Sequence, residues 1–218
     1  MKPPGAAIFD LDGTLLDTLD DLADSANEAL ATAELPVHPV DAYRTFVGDG
    51  IHMLVQRIIP AERRDDETVA HVLALYRAAY GRRWDNKSRP YAGVPETLHE
   101  LSFRPVKLAV LSNKPQRFTE LCIEKLIPGN PFHLIYGQRE NVPRKPDPAG
   151  ALEIAHDFQV QPHDVVFIGD SKIDMDTAVA AGMRAIGVSW GFRPVEELKA
   201  HGAERIIDHP AEILELFA

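Results

Sequence analysis

Two acidic residues, Asp10 and Asp12, stand two positions apart where a short apolar run ends, and this spacing suits nucleophilic and acid–base chemistry. Neighbouring carboxyl groups can divide such work, because one can stay ionised while the other holds a proton. Asp10 could attack a phosphorus centre and form an aspartyl-phosphate. Asp12 could protonate the leaving alcohol and then activate the water that hydrolyses this intermediate. Alone, the same pattern is also typical of a turn or of a helix N-cap.

Two later segments offer groups that could bind an anion. Ser112 ends a predicted strand and precedes a predicted helix that starts at Pro115. Its hydroxyl and the N–H groups around Asn113 could therefore hold phosphate oxygens. Lys145 lies in a predicted rigid loop just before another helix, where its ammonium could neutralise both a phosphoryl group and Asp10. The simpler alternatives are an ordinary N-cap for Ser112 and a solvated surface cation for Lys145.

A fourth segment could hold a metal ion. Asp170 follows a predicted strand, and Asp174 comes one helical turn later. Carboxylates at a strand end suit Mg²⁺, which prefers a few protein oxygens completed by water and phosphate. A lone Gly-Asp-Ser turn carries little information, but four such polar segments at predicted strand ends indicate one site for Mg²⁺ and phosphate.

Apolar strands alternate with amphipathic helices along most of the chain, which predicts an α/β fold with a doubly wound, Rossmann-like parallel sheet. The predicted strands are 5–10, 107–111, 134–137, 165–168, 185–189 and 205–207, and the predicted helices around them are 94–103, 115–127, 148–158, 173–181, 195–201 and 211–217. Ligands bind beyond the carboxyl ends of the strands in such sheets. Asp10, Ser112 and Asp170 are therefore expected to converge at one edge of the sheet, with Lys145 in a nearby loop.

Residues 17–90 show helical spacing of apolar residues without a convincing strand. They are predicted to form an all-helical cap inserted into an α/β core of residues 1–16 and 91–218. The first cap helix should follow Thr18, a residue suited to the N-cap position. Further cap helices are predicted over 41–46, 51–59 and about 66–85. Such an insert is expected to close over the site and exclude water.

The chain has 218 residues and a net charge of −10, and its charge is unevenly distributed. Nine acids and no base lie between Pro3 and Tyr43, which leaves 24 of the 33 acids against all 23 bases in the remainder. This balance argues against nucleic acid and anionic membranes as partners. The single cysteine, Cys122, excludes an internal disulfide and suits a reducing compartment. We expect a cytoplasmic monomer or homodimer whose partner is a small phosphorylated metabolite.

Taken together, these segments resemble the haloacid dehalogenase superfamily, specifically its Mg²⁺-dependent phosphatases. The motifs that carry the resemblance are Asp-x-Asp-Gly-Thr at residues 10–14 and Gly-Asp-Ser-x-x-Asp at residues 169–174. The resemblance implies the following roles: nucleophile for Asp10, general acid and base for Asp12, phosphate binding for Ser112 and Asn113, and charge stabilisation for Lys145. It also implies a Mg²⁺ site formed by the Asp10 and Asp170 carboxylates and the Asp12 backbone carbonyl, with Asp174 orienting metal-bound water or Lys145.

The acid at position 12 narrows the chemistry within that superfamily. The dehalogenases lack a second acid there, and the phosphonatases carry Ala, so Asp12 favours phosphate-ester hydrolysis or phosphoryl transfer. Segments 46–50, 91–98, 112–118 and 187–192 resemble the phosphoglycolate phosphatase group, which implies 2-phosphoglycolate as the substrate. Arg44, Gly48, Gly50 and Lys114 are candidates for contacting the rest of that substrate. A phosphomutase of the β-phosphoglucomutase kind, a phosphatase of pyrophosphate or sugar phosphates, and a phospho-aspartyl signalling switch remain as alternatives.

Overall fold

The computed structural model describes residues 3–218, and the contacts within the chain divide it into two compact units. One unit, here named the α/β unit, consists of the chain up to Leu16 together with Pro90–Ala218. The other, here named the helical unit, is Asp17–Arg89. Among the described residues, no helix combines the length and the apolar character needed to cross a membrane.

The α/β unit contains a parallel six-stranded sheet, as the sequence predicts. The strands of the chain are β1 (Ala6–Phe9), β2 (Leu16–Asp17), β3 (Arg89–Pro90), β4 (Lys107–Pro115), β5 (Leu134–Gln138), β6 (Val165–Gly169), β7 (Arg184–Val188) and β8 (Arg205–Ile207). The large sheet has the order β5-β4-β1-β6-β7-β8, and β2 pairs with β3 in a separate two-stranded sheet. The strand order reverses around β1, and such a reversal is where ligands bind in doubly wound sheets.

Helices surround this sheet and make up most of the inserted segment. The helical unit contains α1 (Leu19–Thr32), α2 (Tyr43–Phe46), α3 (Ile51–Ile58) and α4 (Asp66–Arg83). The α/β unit contains α5 (Val94–Ser102), α6 (Gln116–Leu126), α7 (Ala149–Phe158), α8 (Lys172–Ala180) and α9 (Val195–Ala200). The predicted order of the helices is confirmed, and most of their ends are displaced by only one or two residues.

The central strand β1 is buried on both faces, which explains its continuous apolar sequence. Ala6 and Ile8 pack on one face against a cluster that includes Ile154 of α7 and Met175 of α8. On the other face, Phe9 meets the ring of Phe132 edge-on, with a centroid separation of 5.9 Å. Burial of this kind is expected for a parallel strand with helices on both sides, and it fixes where β1 ends.

Three local predictions are wrong in their details. Strand β4 continues to Pro115 with a register shift after Leu111, and α6 begins only at Gln116, because the backbone of Pro115 (φ −53°, ψ 138°) is outside the helical conformation. Residues 210–217 form a 3₁₀-helix where an α-helix was predicted. Thr18 precedes α1 but does not cap it with its side chain, since its backbone (φ −111°, ψ 3°) is outside the extended conformation of a capping residue.

Within the helical unit, the buried carboxylate of Asp21 connects the first turn of α1 to the segment before β3. It accepts hydrogen bonds from the Lys87 N–H at 2.9 Å, and from the Ser88 N–H and hydroxyl, both at 2.7 Å. Only 1% of Asp21 is exposed. A charged group this deeply buried is tolerated because several donors surround it, so Asp21 holds the two ends of the unit together.

Candidate active site

The loop after β1 places Asp10 and Asp12 at the carboxyl end of the central strand. The Leu11 carbonyl accepts hydrogen bonds from three N–H groups downstream at 3.0–3.4 Å, which makes the loop tight. Gly13 turns this loop with a φ of +92°, and a side chain at that position would also collide with the Asp170 carboxylate. Glycine is required there for both reasons. The Asp-x-Asp-Gly pattern thus forms a tight loop packed against the end of β6.

Lys145 connects two of the acidic residues. Its Nζ donates to Asp10 Oδ1 at 2.8 Å and to Asp174 Oδ1 at 2.6 Å, and its side chain is only 4% exposed. Burial alone would lower the pKa of Lys145, but the Asp10 and Asp174 carboxylates outweigh this effect and raise the pKa above its ordinary value. Lys145 therefore places its ammonium group between Asp10 and Asp174.

Asp170 is held rigidly at the end of β6. Its Oδ2 accepts a hydrogen bond from the backbone N–H of Phe192 at 2.6 Å, and Thr14 Oγ1 donates to its Oδ1 at 3.4 Å. Gly191 lies so close that a Cβ at that position would overlap the Asp170 side chain. The carboxylate therefore has one available orientation. The sequence predicts neither contact: the Phe192 donor is a backbone N–H, which leaves no residue-type signal, and the motif at residues 10–14 does not identify a partner for the Thr14 hydroxyl.

The pKa values of the buried acids show an excess of negative charge. The pKa of Asp10 is raised to about 7, first because the group is buried and then because Asp174 lies beside it, while Lys145 opposes the shift. Burial also raises the pKa of Asp170 well above its usual value, and the Asp174 and Asp10 carboxylates add to this effect. Both shifts mean that the fully ionised cluster needs more positive charge than the protein supplies.

A hard divalent cation fits this cluster. Carboxylate oxygens of Asp10, Asp170 and Asp174 all lie within 4.8 Å of one another. The four site carboxylates, those of residues 10, 12, 170 and 174, face two ammonium groups, those of Lys114 and Lys145, which leaves a charge of −2 when all are ionised. An all-oxygen donor set suits Mg²⁺ or another hard cation better than a soft metal.

Ser112 and Asn113 lie in β4, next to the strand that carries Asp10. Ser112 is buried, and its Oγ accepts a hydrogen bond from the backbone N–H of Lys114 at 3.2 Å. The Asn113 side chain donates to the Lys145 carbonyl at 3.0 Å and accepts from the Lys145 N–H at 2.9 Å. The side-chain amide of Asn113 therefore holds the main chain of the lysine loop, and phosphate binding around Asn113 stays a prediction.

Lys114 lies at the same strand end and contacts a catalytic candidate. Its Nζ donates to both carboxylate oxygens of Asp12, at 2.8 and 3.0 Å, and its predicted contact with the substrate stays a prediction. The contact joins residues that are 102 positions apart. No sequence motif pairs these two positions, so only the structure reveals the contact.

The remaining candidates belong to the helical unit. Arg44 is paired with Asp41 through its Nε at 2.9 Å. Gly48 and Gly50 both have positive φ, at 114° and 84°, and Gly50 directly precedes α3. The turn needs glycine at these two positions for conformational reasons, and contact of all three residues with a substrate stays a prediction.

Comparison with known proteins gives the family. Residues 7–188 match the model of the haloacid dehalogenase-like hydrolases. The phosphoglycolate phosphatase of Pseudomonas putida is 33% identical over 209 residues, which are 94% of this chain and 76% of the relative. The phosphoglycolate phosphatase of Mesorhizobium japonicum is 36% identical over 187 residues, which are 85% of this chain and 82% of the relative.

A solved structure agrees with this result. The crystal structure of a predicted phosphoglycolate phosphatase from Haemophilus somnus 129PT superposes with a TM-score of 0.92 at 30% identity, and the match covers all of both chains. The family match spans the loop with Asp10, the lysine loop and the Asp170 turn in one continuous segment. The chain therefore belongs to the haloacid dehalogenase-like hydrolase family and is an enzyme of the phosphatase type.

Proposed function

We propose that the chain is a Mg²⁺-dependent phosphomonoester hydrolase that forms an aspartyl-phosphate on Asp10 and converts 2-phosphoglycolate to glycolate and phosphate. The observation that carries the proposal is the buried contact between Lys145 Nζ and Asp10 Oδ1, next to the Asp170 carboxylate. A nucleophile, a fixed cation and a place for a metal ion are the groups that phosphoryl transfer requires.

In the first step, one Asp10 carboxylate oxygen attacks the phosphorus. Because Oδ1 is engaged by Lys145, we assign the attack to Oδ2. The new bond joins Oδ2 to phosphorus while the bond from phosphorus to the leaving oxygen breaks. Asp12 donates its proton to that oxygen. Glycolate therefore leaves with a neutral hydroxyl group, and Asp12 becomes a carboxylate.

In the second step, Asp12 acts as the base. It takes a proton from a water molecule whose oxygen attacks the phosphorus of the aspartyl-phosphate. The bond between phosphorus and Asp10 breaks, inorganic phosphate leaves, and both acids return to their starting states. The same group can serve both steps because each step reverses the proton transfer of the other.

Charge on the phosphoryl oxygens has to be neutralised in both steps. Lys145 supplies a fixed ammonium, and the Ser112 hydroxyl with its neighbouring backbone N–H groups supplies neutral donors. Asp10, Asp170 and the Asp12 carbonyl would hold Mg²⁺, which as a Lewis acid would lower the negative charge on the phosphate. Asp174 keeps Lys145 in place, since its other oxygen is bonded to the N–H and hydroxyl of Ser171 at 3.1 and 2.7 Å.

The choice of 2-phosphoglycolate has two supports. Curated relatives at 31–36% identity carry the name phosphoglycolate phosphatase. The second support is chemical: a guanidinium such as that of Arg44 and the N–H groups at the start of α3 after Gly50 are groups that bind carboxylates, and we propose that they contact the carboxylate end of the substrate. The reducing compartment that suits the free thiol of Cys122 makes the cytoplasm the proposed setting, with a small metabolite as the partner.

The test is a phosphate-release assay with the purified chain. We expect turnover of 2-phosphoglycolate in Mg²⁺, loss of turnover in EDTA, and recovery when Mg²⁺ is restored. Asp10→Asn should abolish turnover, while Asp66→Asn, which changes an exposed acid at the start of α4, should leave it intact. Phosphate release by Asp10→Asn at the normal rate would contradict the mechanism.

The other functions are separable outcomes of the same experiment. Faster release from pyrophosphate or a sugar phosphate would keep the mechanism and replace the substrate. Isomerisation of a hexose phosphate without free phosphate would indicate a phosphomutase. An aspartyl-phosphate that lasts for minutes without turnover would indicate a signalling switch.

A further inference from the structure

The ion pair between Lys114 and Asp12 is too buried to be a surface salt bridge. The Lys114 side chain is 3% exposed and that of Asp12 is 21% exposed. Exposed ion pairs contribute little to stability, but an ammonium removed from water requires a well-placed partner. Lys114 Nζ meets both Asp12 oxygens, at 2.8 and 3.0 Å, so the carboxylate is fixed from one side.

The main chains around this pair are also fixed. The N–H of Lys114 donates to Ser112 Oγ at 3.2 Å, and the Lys114 carbonyl accepts from Thr119 Oγ1 at 3.2 Å. A β-bridge between Asp12 and Leu16 holds the other main chain. The position of the Asp12 carboxyl group is thereby determined by β4 as well as by its own loop.

We propose that Lys114 is a positioning residue that orients Asp12 toward the leaving oxygen, an inference that rests on the proposed hydrolase function. When Asp12 is protonated, its carbonyl oxygen accepts a hydrogen bond from Lys114. This contact directs the O–H of Asp12 away from the ammonium group. When the O–H proton moves to the leaving oxygen, both carboxylate oxygens accept from Lys114, as in the structure. Lys114 therefore affects the step in which Asp12 protonates the leaving oxygen.

The sharpest readout is the basicity of the leaving group. A general acid matters most for a basic leaving oxygen and little for a leaving group that departs readily as an anion. Phenyl phosphate and p-nitrophenyl phosphate form a matched pair, because both lack a carboxylate and differ mainly in this basicity. In Lys114→Met, we expect kcat/KM, which reports the step in which the leaving group departs, to fall by about 10–100-fold on phenyl phosphate and by less than about 3-fold on p-nitrophenyl phosphate.

A double-mutant cycle on 2-phosphoglycolate gives an independent readout. Lys114→Met should add almost no loss of kcat to Asp12→Asn, because groups that act as a unit are not additive. This double variant also removes both members of the pair, which guards against an unpaired buried charge in the single variant. Lys114→Arg should restore part of the lost rate, and Lys199→Met, on the exposed face of α9, is the matched control.

The outcomes separate the inference from the function on which it rests. Equal losses of kcat/KM on both phenyl esters, with full additivity in the cycle, would overturn the positioning role and leave the hydrolase intact. A raised KM for 2-phosphoglycolate at unchanged kcat would make Lys114 a substrate contact and would overturn the inference too. No phosphate release by the unaltered protein from any ester would instead contradict the proposed function.

Discussion

The side-chain amide of Asn113 is bonded to both the N–H and the carbonyl of Lys145. One residue in β4 thereby fixes the main chain of the loop whose side chain contacts Asp10. The Asn113 side chain thus makes the two hydrogen bonds that the main chain of a neighbouring strand would make, at a point in the chain beyond the end of β5.

Replacing Asn113 should therefore disturb the position of the Lys145 side chain beside Asp10. Asn113→Ala leaves the two main-chain groups without this partner, so we expect a loss of about 1–3 kcal/mol in the free energy of unfolding and a lower kcat at similar KM. Asn113→Asp keeps the acceptor for the Lys145 N–H but turns a buried carboxylate oxygen toward the Lys145 carbonyl, so its loss of stability should be at least as large. Denaturant unfolding and steady-state kinetics check both; unchanged kcat in Asn113→Ala would contradict the positioning of Lys145.

Removing the charge of Lys145 should destabilise the metal-free protein. Lys145→Met leaves the buried Asp10 and Asp174 carboxylates without their cation, which should cost about 3–5 kcal/mol. Adding Asp174→Asn to this variant should recover part of the loss, because one of the repelling charges is then gone. Urea unfolding in EDTA measures both effects, and a double variant less stable than the single one would argue against charge repulsion as the cause.

The stabilisation by Mg²⁺ should increase with pH. Since the folded-state pKa of Asp10 is about 7, above its unfolded value of about 3.9, the metal-free protein loses stability as pH rises through this interval. The metal ion binds the ionised form, so the rise in Tm caused by Mg²⁺ should be larger at pH 8 than at pH 6. In Asp10→Asn this pH dependence should weaken; an equal rise at both pH values in the unaltered protein would contradict the prediction.

The anchor made by Asp21 should carry much of the stability of the helical unit. Asp21→Ala removes the acceptor for the Ser88 N–H and hydroxyl, so we expect a loss of about 2–3 kcal/mol in the free energy of unfolding. The matched control is Asp24→Ala, which removes a partly exposed partner of Lys87 and should cost less than about 1 kcal/mol. Denaturant titrations of the two variants check the difference, and equal losses would mean that burial of Asp21 contributes nothing.

The sequence predicts the polar residues at the strand ends, but it does not predict the contacts of Lys114 with Asp12 and of Asn113 with Lys145. A buried apolar run followed by Asp10, and a second one followed by Asp170, indicate parallel strands with polar carboxyl ends. The bond from Lys114 to Asp12 spans 102 positions, and the bond from Asn113 to Lys145 spans 32. Such pairs depend on how β4 is placed beside β1, and a local pattern carries no information about that placement.

The central position of β1 also has a consequence for the order in which the chain can fold. Ala6 pairs with Lys107 on one side and with Val165 on the other, so the pairing of β1 is complete only after β4 and β6 have been synthesised. The helical unit, whose α1 and α4 pack against each other, is complete by residue 89. Its contacts are available during translation long before β6 leaves the ribosome, and contacts between distant segments close slowly. The helical unit can therefore be complete first, and the loop that carries Asp10 is among the last parts to be assembled.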